Sequence, residues 1–576
     1  MEKRWVLKQQ GSEEDNEKLA KELNIEPVLA NLLVQRGVRT FDQARAFFRP
    51  QLDDLHDPFL MKDMNLAIER IGKAIQNNEK ILIYGDYDVD GTTSVALVYS
   101  FFKEFHDNIG YYVPDRYSEG YGISLQGIQY AQESEYSLII ALDCGIKANE
   151  KISYAKENGI DFIICDHHVP GSELPNAEAV LDPKRSDCEY PFKDLSGCGV
   201  GFKLIQAYSK TNNIGFERLI PYLDLVVVSI ASDIVSITDE NRILAHYGLI
   251  QLNKDPREGL KSIINLSGLA DKDIAVEDIV FKIGPRINAA GRMESADKAV
   301  ELLLAVNARK AKVAANSVNF FNDARKNIDR NITQDALRMF AVEHKKEKKI
   351  STVLYNSKWH KGVVGIVASR VIETYFKPTI VLTKSNGLIT GSARSIAGFN
   401  LHDALSGCSE LLEQFGGHYH AAGLTLKEEN LEALTLLFEQ KAQEVLRPEM
   451  MVEEQVIDLK LSFNEIFMPE ENRLKIPKLK RILKQFEPHG PGNMKPVFIS
   501  KNVFSTEVRI LKDTHIKLSM THPDSDVILE GIGFNLASKA DVVAAGMPFD
   551  VVYTLEINRW NDRERLQLNI KDFREA

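Results

Sequence analysis

The stretch KILIYGDYDVDGTTSVALVYSFFKEF, residues 80–105, contains the pattern that decides the fold. A short apolar run ends in a dense group of acids, Asp86, Asp88 and Asp90, and Gly91 then permits a tight turn into a helical segment. A continuous apolar strand followed at once by a helix is typical of a parallel sheet that helices cover on both faces. The stretch therefore predicts the start of an α/β domain.

The same alternation continues outward from this stretch. GYYVPD, YSLIIALD, DFIICD and EAVLDP are strand-like, with helical segments between them. Residues 302–344 contain neither Pro nor Gly, and their composition predicts one long helix or two in series. A fresh strand-and-helix pattern starts near residue 350, and many short β-prone runs after about residue 452 predict a small barrel. The length of 576 residues requires several domains, since single cores stop growing near about 250–300 residues.

Several apolar runs end in an acid, and we interpret each of these runs as a strand. Asp86, Asp143 and Asp166 close three of them, and Asp233 follows the run LDLVVVSIAS. Ligands bind at the carboxyl ends of parallel strands, so these acids are expected to converge. Carboxylates that converge repel one another unless divalent cations lie between them, and oxygen ligands with imidazole suit Mg²⁺ or Mn²⁺. By itself the DxDxDG segment also fits a calcium loop or a polar turn, although it lacks the distant Glu of an EF-hand loop.

Composition leaves the binding partner open. Hydrophobic residues at 44% and charged residues at 27% are ordinary for a globular protein, and the net charge of −11 neither indicates nor excludes a nucleic acid. Residues 473–517, however, hold eleven Lys/Arg against three Asp/Glu, a local +8. Phe486, Phe498 and Phe504 lie among them and are either stacking platforms for a single strand or core residues. If the partner is a single-stranded nucleic acid, deletion after about residue 450 should weaken its binding more than it harms the metal site.

The cysteines and the N-terminus predict the compartment. The five cysteines form no CxxC pair and are odd in number, which argues against a disulfide framework or a zinc ribbon. The N-terminal MEKRWVLKQQ has no apolar h-region, and no stretch is long enough for a membrane span. We therefore predict a cytoplasmic protein.

Four segments carry a family resemblance. GDYDVDGTT (85–93), ALDCG (141–145), CDHH (165–168) and ASDIV (231–235) resemble the motifs of the DHH phosphoesterases in order and spacing. Later segments are similar to the RecJ exonuclease branch of that family. They are YVPDRYSEGYG (112–122), GPRINAAGRM (284–293), WHKGVVGIVASR (359–370), GSARS (391–395) and GGHYHAAG (416–423).

The resemblance implies a domain order and an activity. It implies an N-terminal helical segment (1–76), a DHH catalytic domain (77–300), a connecting helix (301–348), a DHH-associated domain (349–448) and an OB-like barrel (452–576). It implies a 5′-to-3′ exonuclease on single-stranded DNA, in repair and recombination, that releases 5′-mononucleotides with two Mn²⁺ or Mg²⁺ ions. A monomer is expected, with a single-strand binding protein and a helicase as implied partners.

The resemblance also implies residue roles. Asp86, Asp88, Asp143, His167 and Asp233 match metal ligands. From its position between the DxD and DHH segments, and not from the resemblance, Asp143 is the candidate for the bridging ligand. Catalytic roles near the scissile phosphate fall on His168, Arg286, Asn288 and His360, with His418 also matching a position there, and His168 is alternatively a metal ligand or a residue that supports one. Phosphate binding at the 5′ end falls on Arg116, Ser392, Arg394, Gly416, Gly417 and His418.

Departures and rival functions remain at this stage. Tyr84 stands where many relatives have His, His420 stands where a small residue is usual, and the role of Asp90 is open. One rival is a DHH enzyme acting on oligonucleotides or cyclic dinucleotides, but such enzymes are shorter. The other is a non-catalytic DNA-binding replication scaffold, which would not need every acidic motif intact.

Overall fold

The N-terminal elements of the chain are one short strand and three helices. A computed structural model of the protein describes residues 3–346, 349–467, 476–544, 546–560 and 563–576. The first elements are β1 (Arg4–Leu7), α1 (Glu13–Leu23), α2 (Pro27–Val34) and α3 (Phe41–Phe48). In the described ranges, no helix combines the length and apolarity that crossing a bilayer would require.

A five-stranded parallel sheet forms the next unit, with the strand order β3-β2-β4-β5-β6. Both β2 and β4 are buried along their whole length, as continuous runs of Ile, Leu and Ala require when helices cover both faces. Its elements are α4 (Met64–Gln76), β2 (Ile81–Gly85), α5 (Val89–Lys103), β3 (Ile109–Tyr112), α6 (Leu125–Glu133), β4 (Leu138–Leu142), α7 (Asn149–Glu157), β5 (Asp161–Cys165), β6 (Ala179–Leu181), α8 (Gly197–Thr211), α9 (Leu223–Ser232), α10 (Asp239–Lys254), α11 (Glu258–Leu266), α12 (Val276–Asp278), a π-helical turn (Ile279–Ile283), α13 (Gly284–Met293) and α14 (Asp297–Leu303).

A single long helix leads to the second α/β unit. Of the two forms that the sequence left open, the structure has one helix of 39 residues, α15 (Ala308–Lys346), preceded by the separate short α14. The second unit has a mixed sheet of order β10-β11-β9-β8-β7, in which only β7 and β8 are parallel. Its elements are β7 (Thr352–Tyr355), α16 (Val364–Tyr375), β8 (Thr379–Ser385), β9 (Leu388–Arg394), α17 (Leu401–Ser406), β10 (Gln414–Gly417), β11 (Ala421–Leu426) and α18 (Leu431–Val445).

The C-terminal unit is a closed barrel. Strands β14, β15, β16, β18 and β17 pair in that order, and β17 pairs back to β14. Its elements are β12 (Glu454–Ile457), β13 (Leu459–Lys460), α19 (Phe463–Ile466), α20 (Lys478–Lys484), β14 (Phe498–Leu511), β15 (His515–His522), β16 (Ser525–Gly533), α21 (Ala540–Ala544), β17 (Phe549–Trp560) and β18 (Arg563–Glu575). The predicted fold class is therefore confirmed: a parallel-sheet domain, a connecting helix, a second α/β domain and an OB-like barrel.

The aromatic residues of the basic segment are mostly core. Phe486 and Phe498 are fully buried, and only Phe504 is half-buried. The interpretation of Phe486 and Phe498 as stacking platforms is wrong, because both pack in the core that the barrel shares with α1 and α2. Of the basic residues, Arg473 and Lys475 lie outside the described part of the chain.

The two ends of the chain share one core. β1 pairs in parallel with β12, and Leu29 and Leu33 of α2 pack in the same apolar cluster as Phe498 of the barrel. α4 instead packs in the cluster of the parallel sheet. The predicted domain boundaries stay predictions, but residues 1–76 contribute to two different cores.

Candidate active site

Three of the predicted acids lie at one edge of the parallel sheet. β2, β4 and β5 are adjacent strands, so Asp86, Asp143 and Asp166 begin neighbouring loops at their carboxyl ends. All three carboxylates are buried. Asp143 has a left-handed backbone with φ of 58°, a conformation that Asp tolerates better than most residues.

Asp233 reaches the same place by a different route. The interpretation of the run LDLVVVSIAS as a strand is wrong, because Leu223–Ser232 forms the helix α9. A short apolar run does not distinguish a buried strand from a buried helix, and α9 is buried almost throughout among α5, α8 and α10. Asp233 is the C-cap residue of this helix.

His167 lies at the centre of a group of acids. We call Asp86, Asp88, Asp90, Asp143 and Asp233, together with His167, the acidic cluster. Nε2 of His167 lies 3.1 Å from Oδ1 of Asp143 and 3.6 Å from Oδ2 of both Asp90 and Asp233. Its Nδ1 is buried without a hydrogen-bond partner in the described residues. Two sets of side chains could each hold a metal ion through ligand atoms within 4.8 Å of one another: Asp143, His167 and His168, and Asp90, His167 and Asp233.

The first acidic segment is held mainly by backbone amides. Asp88 is the N-cap residue of α5, and its Oδ1 accepts from the amide of Gly91 at 3.0 Å. Asp86 accepts a longer bond from Gly122, and its Oδ2 is buried without a partner in the described part of the chain. Asp86 and Asp88 belong to neither three-residue set, although the charges of both act on Asp143; Asp86 is buried and Asp88 is half-buried.

Asp90, whose role the sequence left open, is the most firmly held acid of the cluster. It accepts from the amides of Gly197 and Cys198 at 2.7 and 2.8 Å and from the hydroxyl of Ser229 at 2.7 Å. Its position 3.6 Å from His167 makes it a further possible ligand. The signal in the sequence was its i, i+2 spacing from Asp88.

Asp166 and His168 form a pair at the side of the cluster. Oδ1 of Asp166 accepts from Nδ1 of His168 at 2.8 Å, while Oδ2 accepts from the amide of Ile146. Burial alone would raise the pKa of Asp166, but these bonds hold it below its ordinary value. Burial would likewise lower the pKa of His168, but the bond to Asp166 raises it to about 9. Asp166 therefore orients His168.

The pKa values of the acids indicate that the acidic cluster binds cations. Burial, and then the charge of Asp88, raises the pKa of Asp86 to about 8. Burial, and then the charge of Asp90, raises the pKa values of Asp88, Asp143 and Asp233. Buried carboxylates that repel one another are unfavourable unless cations neutralise them. Oxygen ligands, one imidazole and the unpartnered Oδ2 of Asp86 suit hard divalent ions such as Mg²⁺ or Mn²⁺.

A cluster of arginines faces the acids. Burial, and then the charges of Arg116, Arg325 and Arg394, lowers the pKa of Arg292 to about 9. In the described ranges none of these four guanidinium groups forms an ion pair with a carboxylate. Arg116 lies over the ring of Tyr87 at 3.9 Å, and the other three hydrogen bond only to uncharged groups. Four unpaired arginines leave room for an anion.

Ser392 and Arg394 sit against a helix start. Nη1 of Arg394 donates to Oγ of Ser392 at 2.7 Å. A Cβ placed on Gly365, in the first turn of α16, would lie 2.9 Å from Nη2 of Arg394 and 3.1 Å from Oγ of Ser392. The glycine thus lets the first turn of α16 approach both groups, and unpaired amides at a helix start favour anions.

Arg286 and Asn288 separate in space. Arg286 donates to Asn319 of the connecting helix and to the carbonyl of Lys282. Asn288 instead lines a cavity of about 170 Å³ together with Arg292, Arg325 and Ser232. Sequence reasoning missed Arg292, although its i, i+4 spacing from Asn288 on α13 was a usable signal. No local signal distinguished Arg325 from the other basic residues of α15.

The second α/β unit brings one predicted residue to the acids. The ring of His418 stacks on that of His168, with 5.8 Å between centroids and 13° between planes. Gly416 and Gly417 end β10 just before it, and Gly417 has a φ of 152°. His360 accepts from the amide of Gly362 and packs edge-on against Tyr117. His420 contributes a carbonyl to the amide of Ser395.

Tyr84 is not part of the acidic cluster. Its hydroxyl donates to the carbonyl of Gly122, contacts Oγ of Ser124 and accepts from the amide of Ser124 at 3.1 Å. Because Gly122 also donates to Asp86, Tyr84 supports that acid through the loop and not directly.

Comparisons with known proteins cover most of the chain. Three family models match: the DHH family, N-terminal domain, over residues 80–230, the DHHA1 domain over 328–444, and the RecJ OB domain over 457–572. Single-stranded-DNA-specific exonuclease RecJ of Bacillus subtilis (strain 168) is 37% identical over 573 residues, which cover 99% of this chain and 70% of that protein.

Two solved structures share the fold of this chain. The crystal structure of RecJ in complex with Mn²⁺ from Thermus thermophilus superposes with a TM-score of 0.84 at 25% identity, covering 100% of this chain and 80% of that chain. The Mg²⁺ complex from the same organism has a TM-score of 0.78 at 23% identity, covering 100% of this chain and 78% of that chain, and supports the fold alone.

Proposed function

This chain belongs to the RecJ family of single-stranded-DNA-specific exonucleases, and we propose that it degrades single-stranded DNA from the 5′ end, releasing 5′-mononucleotides in DNA repair and recombination. It is accordingly a metal-dependent phosphodiester hydrolase. The observation that carries the proposal is the pairing of a buried acidic cluster with four arginines that form no ion pairs in the described residues. A cation-binding site beside an anion-binding site suits a phosphodiester.

Asp86, Asp88, Asp143, His167 and Asp233 are the proposed ligands of two divalent ions, Mn²⁺ or Mg²⁺, and Asp90 is added here. When bound, two such ions supply an activated water and neutralise the charge on the phosphate. The chain itself fixes the ligand geometry. Asp88 is held by Gly91, and Asp90 is held by Gly197, Cys198 and Ser229. Carboxylates that are already held in place need less reorganisation during the reaction, which lowers its energetic cost.

The proposed substrate contacts surround this cluster. His168, oriented by Asp166 and stacked on His418, is placed to hydrogen bond the scissile phosphate. Arg292, Arg325 and Asn288 line the cavity beside it and are proposed to hold a neighbouring phosphate. Arg286 and His360 remain proposed contacts, although Arg286 is engaged by Asn319. The rest of the strand is proposed to bind the C-terminal unit, whose segment 473–517 has a local charge of +8.

The 5′ phosphate is proposed to bind Arg116, Ser392 and Arg394. Arginine gives bidentate, permanently charged hydrogen bonds to a phosphate, and the first turn of α16 adds favourable amides. Gly416, Gly417 and His418 are proposed to bind the same phosphate, since the two glycines lie on β10, two strands from Ser392 in the same sheet. A pocket for a terminal dianion explains why cleavage would begin at the 5′ end.

The polarity is tested by digesting end-labelled strands with Mn²⁺. We expect single-stranded DNA to be degraded, duplex DNA to resist, and a 5′ label to appear at once as a mononucleotide. A dinucleotide should be a poorer substrate than a long strand, and an RNA strand of the same sequence measures sugar selectivity. Early release of a 3′ label as a mononucleotide would contradict the proposed direction.

Replacing Arg394 with alanine should specifically impair recognition of the end. Loss of charge-assisted hydrogen bonds is expected to lower kcat/KM on a 5′-phosphorylated strand by about 10- to 100-fold. The effect on a 5′-hydroxyl strand should be much smaller. Arg338→Ala, which removes the same charge from an exposed site on the connecting helix, is the matched control. Equal losses on both strands would show that Arg394 does not read the phosphate.

The cellular setting is proposed from the activity. A 5′ exonuclease specific for single strands needs a strand separated from its complement, so a helicase and a single-strand binding protein are proposed partners. Chromosomal DNA of a bacterium lies in the cytoplasm, which is the proposed location. The protein is proposed to act as a monomer, because one chain carries the acidic cluster and all the proposed phosphate contacts.

A further inference from the structure

A loop of the C-terminal unit reaches the catalytic domain directly after Asp233. We call residues 485–493 the buttress loop. The carbonyl of Pro491 accepts from the amide of Ile237 at 2.7 Å. A Cβ on Gly490 would lie 2.5 Å from Cδ1 of Ile237, which is itself buried. The contact is therefore close enough that neither side can shift freely.

Arginines fix the buttress loop from two directions. The guanidinium of Arg242, on α10, donates to the carbonyls of Phe486, Glu487 and Pro488 and to that of Phe47, and it lies 3.9 Å from the ring of Phe47. On the other side Arg36 donates to Oδ1 of Asn493 at 2.8 Å. Asn493 in turn donates to the carbonyls of Phe486 and Pro488 at 2.7 and 2.9 Å. The loop is thus a rigid part of the interface.

The backbone between Asp233 and Ile237 is strained. Ile234 has a φ of 59°, and its side chain is 62% exposed, so packing does not favour this conformation. A β-branched residue rarely adopts a left-handed backbone, and such a conformation persists only where its surroundings fix it. The residues that follow Ile234 are those that the buttress loop holds.

Asp233 depends on its backbone for its position. In the described part of the chain no hydrogen bond holds its carboxylate, whereas Asp90 accepts three. Yet Oδ2 of Asp233 lies 3.6 Å from Nε2 of His167. Something other than side-chain contacts must therefore point Asp233 toward the cluster.

We propose that the buttress loop positions Asp233 for metal binding, by holding residues 236–238 so that the strained Ile234 directs the carboxylate toward His167. The proposal rests on the proposed function, because it takes Asp233 as a ligand. It also revises the expectation that deletion after about residue 450 would harm the metal site less than DNA binding. The C-terminal unit would contribute to metal affinity as well as to DNA binding.

The test uses the full-length protein with Gly490→Ala and a matched control, Gly531→Ala. A Cβ on Gly531 would lie 2.8 Å from Ile570 and Met520, so the control crowds the barrel core without touching the catalytic domain. Mn²⁺ affinity is measured by calorimetry on metal-free protein, with melting temperature and single-strand binding measured beside it. We expect Gly490→Ala to weaken Mn²⁺ binding about tenfold, as loss of a supporting contact typically does. Gly531→Ala should leave that affinity within about twofold while lowering the melting temperature as much or more.

A second substitution separates positioning from general damage. Ile234→Gly removes the backbone strain, so the effect of Gly490→Ala on Mn²⁺ affinity should shrink to below about threefold in that background. If Gly490→Ala does not fold, Arg242→Lys takes its place, since lysine keeps the charge but loses the forked donation to several carbonyls.

Asp233→Asn separates the two levels of inference. If it weakens Mn²⁺ binding while Gly490→Ala behaves like Gly531→Ala, the positioning role is overturned and the proposed function stands. If wild type and Asp233→Asn bind Mn²⁺ equally well, the ligand assignment itself is wrong. Weakened binding in both Asp233→Asn and Gly490→Ala, with Gly531→Ala unaffected, supports the proposal.

Discussion

Replacing Asp143 with asparagine is expected to lower the rate of DNA hydrolysis by at least about 10³-fold, or about 4 kcal/mol of barrier. Asp143 is the carboxylate nearest to His167, with its Oδ1 3.1 Å from Nε2 of that residue, and the charges of four other aspartates act on it. An amide cannot neutralise a divalent cation as a carboxylate does. A residue proposed to hold the ions would therefore lose its charge toward them. His167→Ala is expected to have a similar effect on the rate.

Asparagine is the right replacement because of the backbone. Asp143 has a φ of 58°, and Asn accepts this left-handed conformation more readily than alanine does. The substitution also removes one of several mutually repelling charges, so the metal-free variant should melt a few degrees above metal-free wild type. A variant that is inactive and yet more stable cannot be explained by misfolding.

The measurements are single-turnover hydrolysis with Mn²⁺, melting in EDTA, and single-strand binding by fluorescence anisotropy. Binding should stay within about threefold, since the arginines and the barrel are untouched. Asp161→Asn is the control, because Asp161 starts β5 at the opposite edge of the same sheet, where it pairs with Arg70. Turnover near the wild-type rate in Asp143→Asn would refute the ligand assignment.

The fold was predictable because its strands are nearly pure apolar runs. KILIYG and YSLIIAL admit little except buried parallel strands, and the carboxyl ends of adjacent strands bring Asp86 and Asp143 together. Asp233 was predicted to lie near the other acids, and it does, but the prediction rested on a strand that is in fact a helix. Its apolar run has the length of a strand but forms α9, and only tertiary packing decides between the two.

Contacts between distant units were not predictable in the same way. The stacking of His168 on His418 joins residues 250 positions apart on separate sheets, and no local pattern encodes it. By residue type, Arg286 and Arg292 are equally good candidates for phosphate binding. Their different positions around the axis of α13 direct Arg286 to Asn319 and Arg292 to the cavity. The buttress loop lies about as far from Asp233 in sequence, and no local pattern links it to the acids, so only the structure reveals the contact.

The metal-free protein is expected to lose stability as the pH rises from 6.5 to 8.5. The pKa of Asp86 is raised to about 8 in the folded protein, while that of an unfolded Asp is about 3.9. Between these values the folded state binds more protons than the unfolded state, so the free energy of unfolding falls as the pH rises. Asp88, Asp143 and Asp233, whose pKa values are also raised, act in the same direction.

His168 adds to the same slope, and so does Asp182, because burial raises its pKa to about 7. The pKa of His168 is raised to about 9, so its favourable contribution is complete below about pH 6.5 and is lost as the pH rises through 9. The lowered pKa of His167 opposes the trend, but chiefly below about pH 6.5 and at the acidic end of the window, where an unfolded His titrates. Asp166, whose pKa is depressed, acts only in strong acid. Arg292, with a pKa lowered to about 9, opposes the trend only at higher pH.

The size of the effect follows from these shifts, and metal should abolish it. One group contributes up to about 1.4 kcal/mol per pH unit, so the free energy of unfolding should fall by about 2–4 kcal/mol over the window. Excess Mg²⁺ neutralises the carboxylates and stabilises the state that binds it, so its effect on the melting temperature should grow with pH. Thermal melts at pH 6.5, 7.5 and 8.5 in EDTA and in Mg²⁺ measure this. In EDTA, Asp143→Asn should show a shallower slope than wild type, whereas Asp161→Asn should match it. A melting temperature in EDTA that stays flat or rises with pH would show that these carboxylates do not carry the raised pKa values, and the case for a cation-requiring cluster would fail with it.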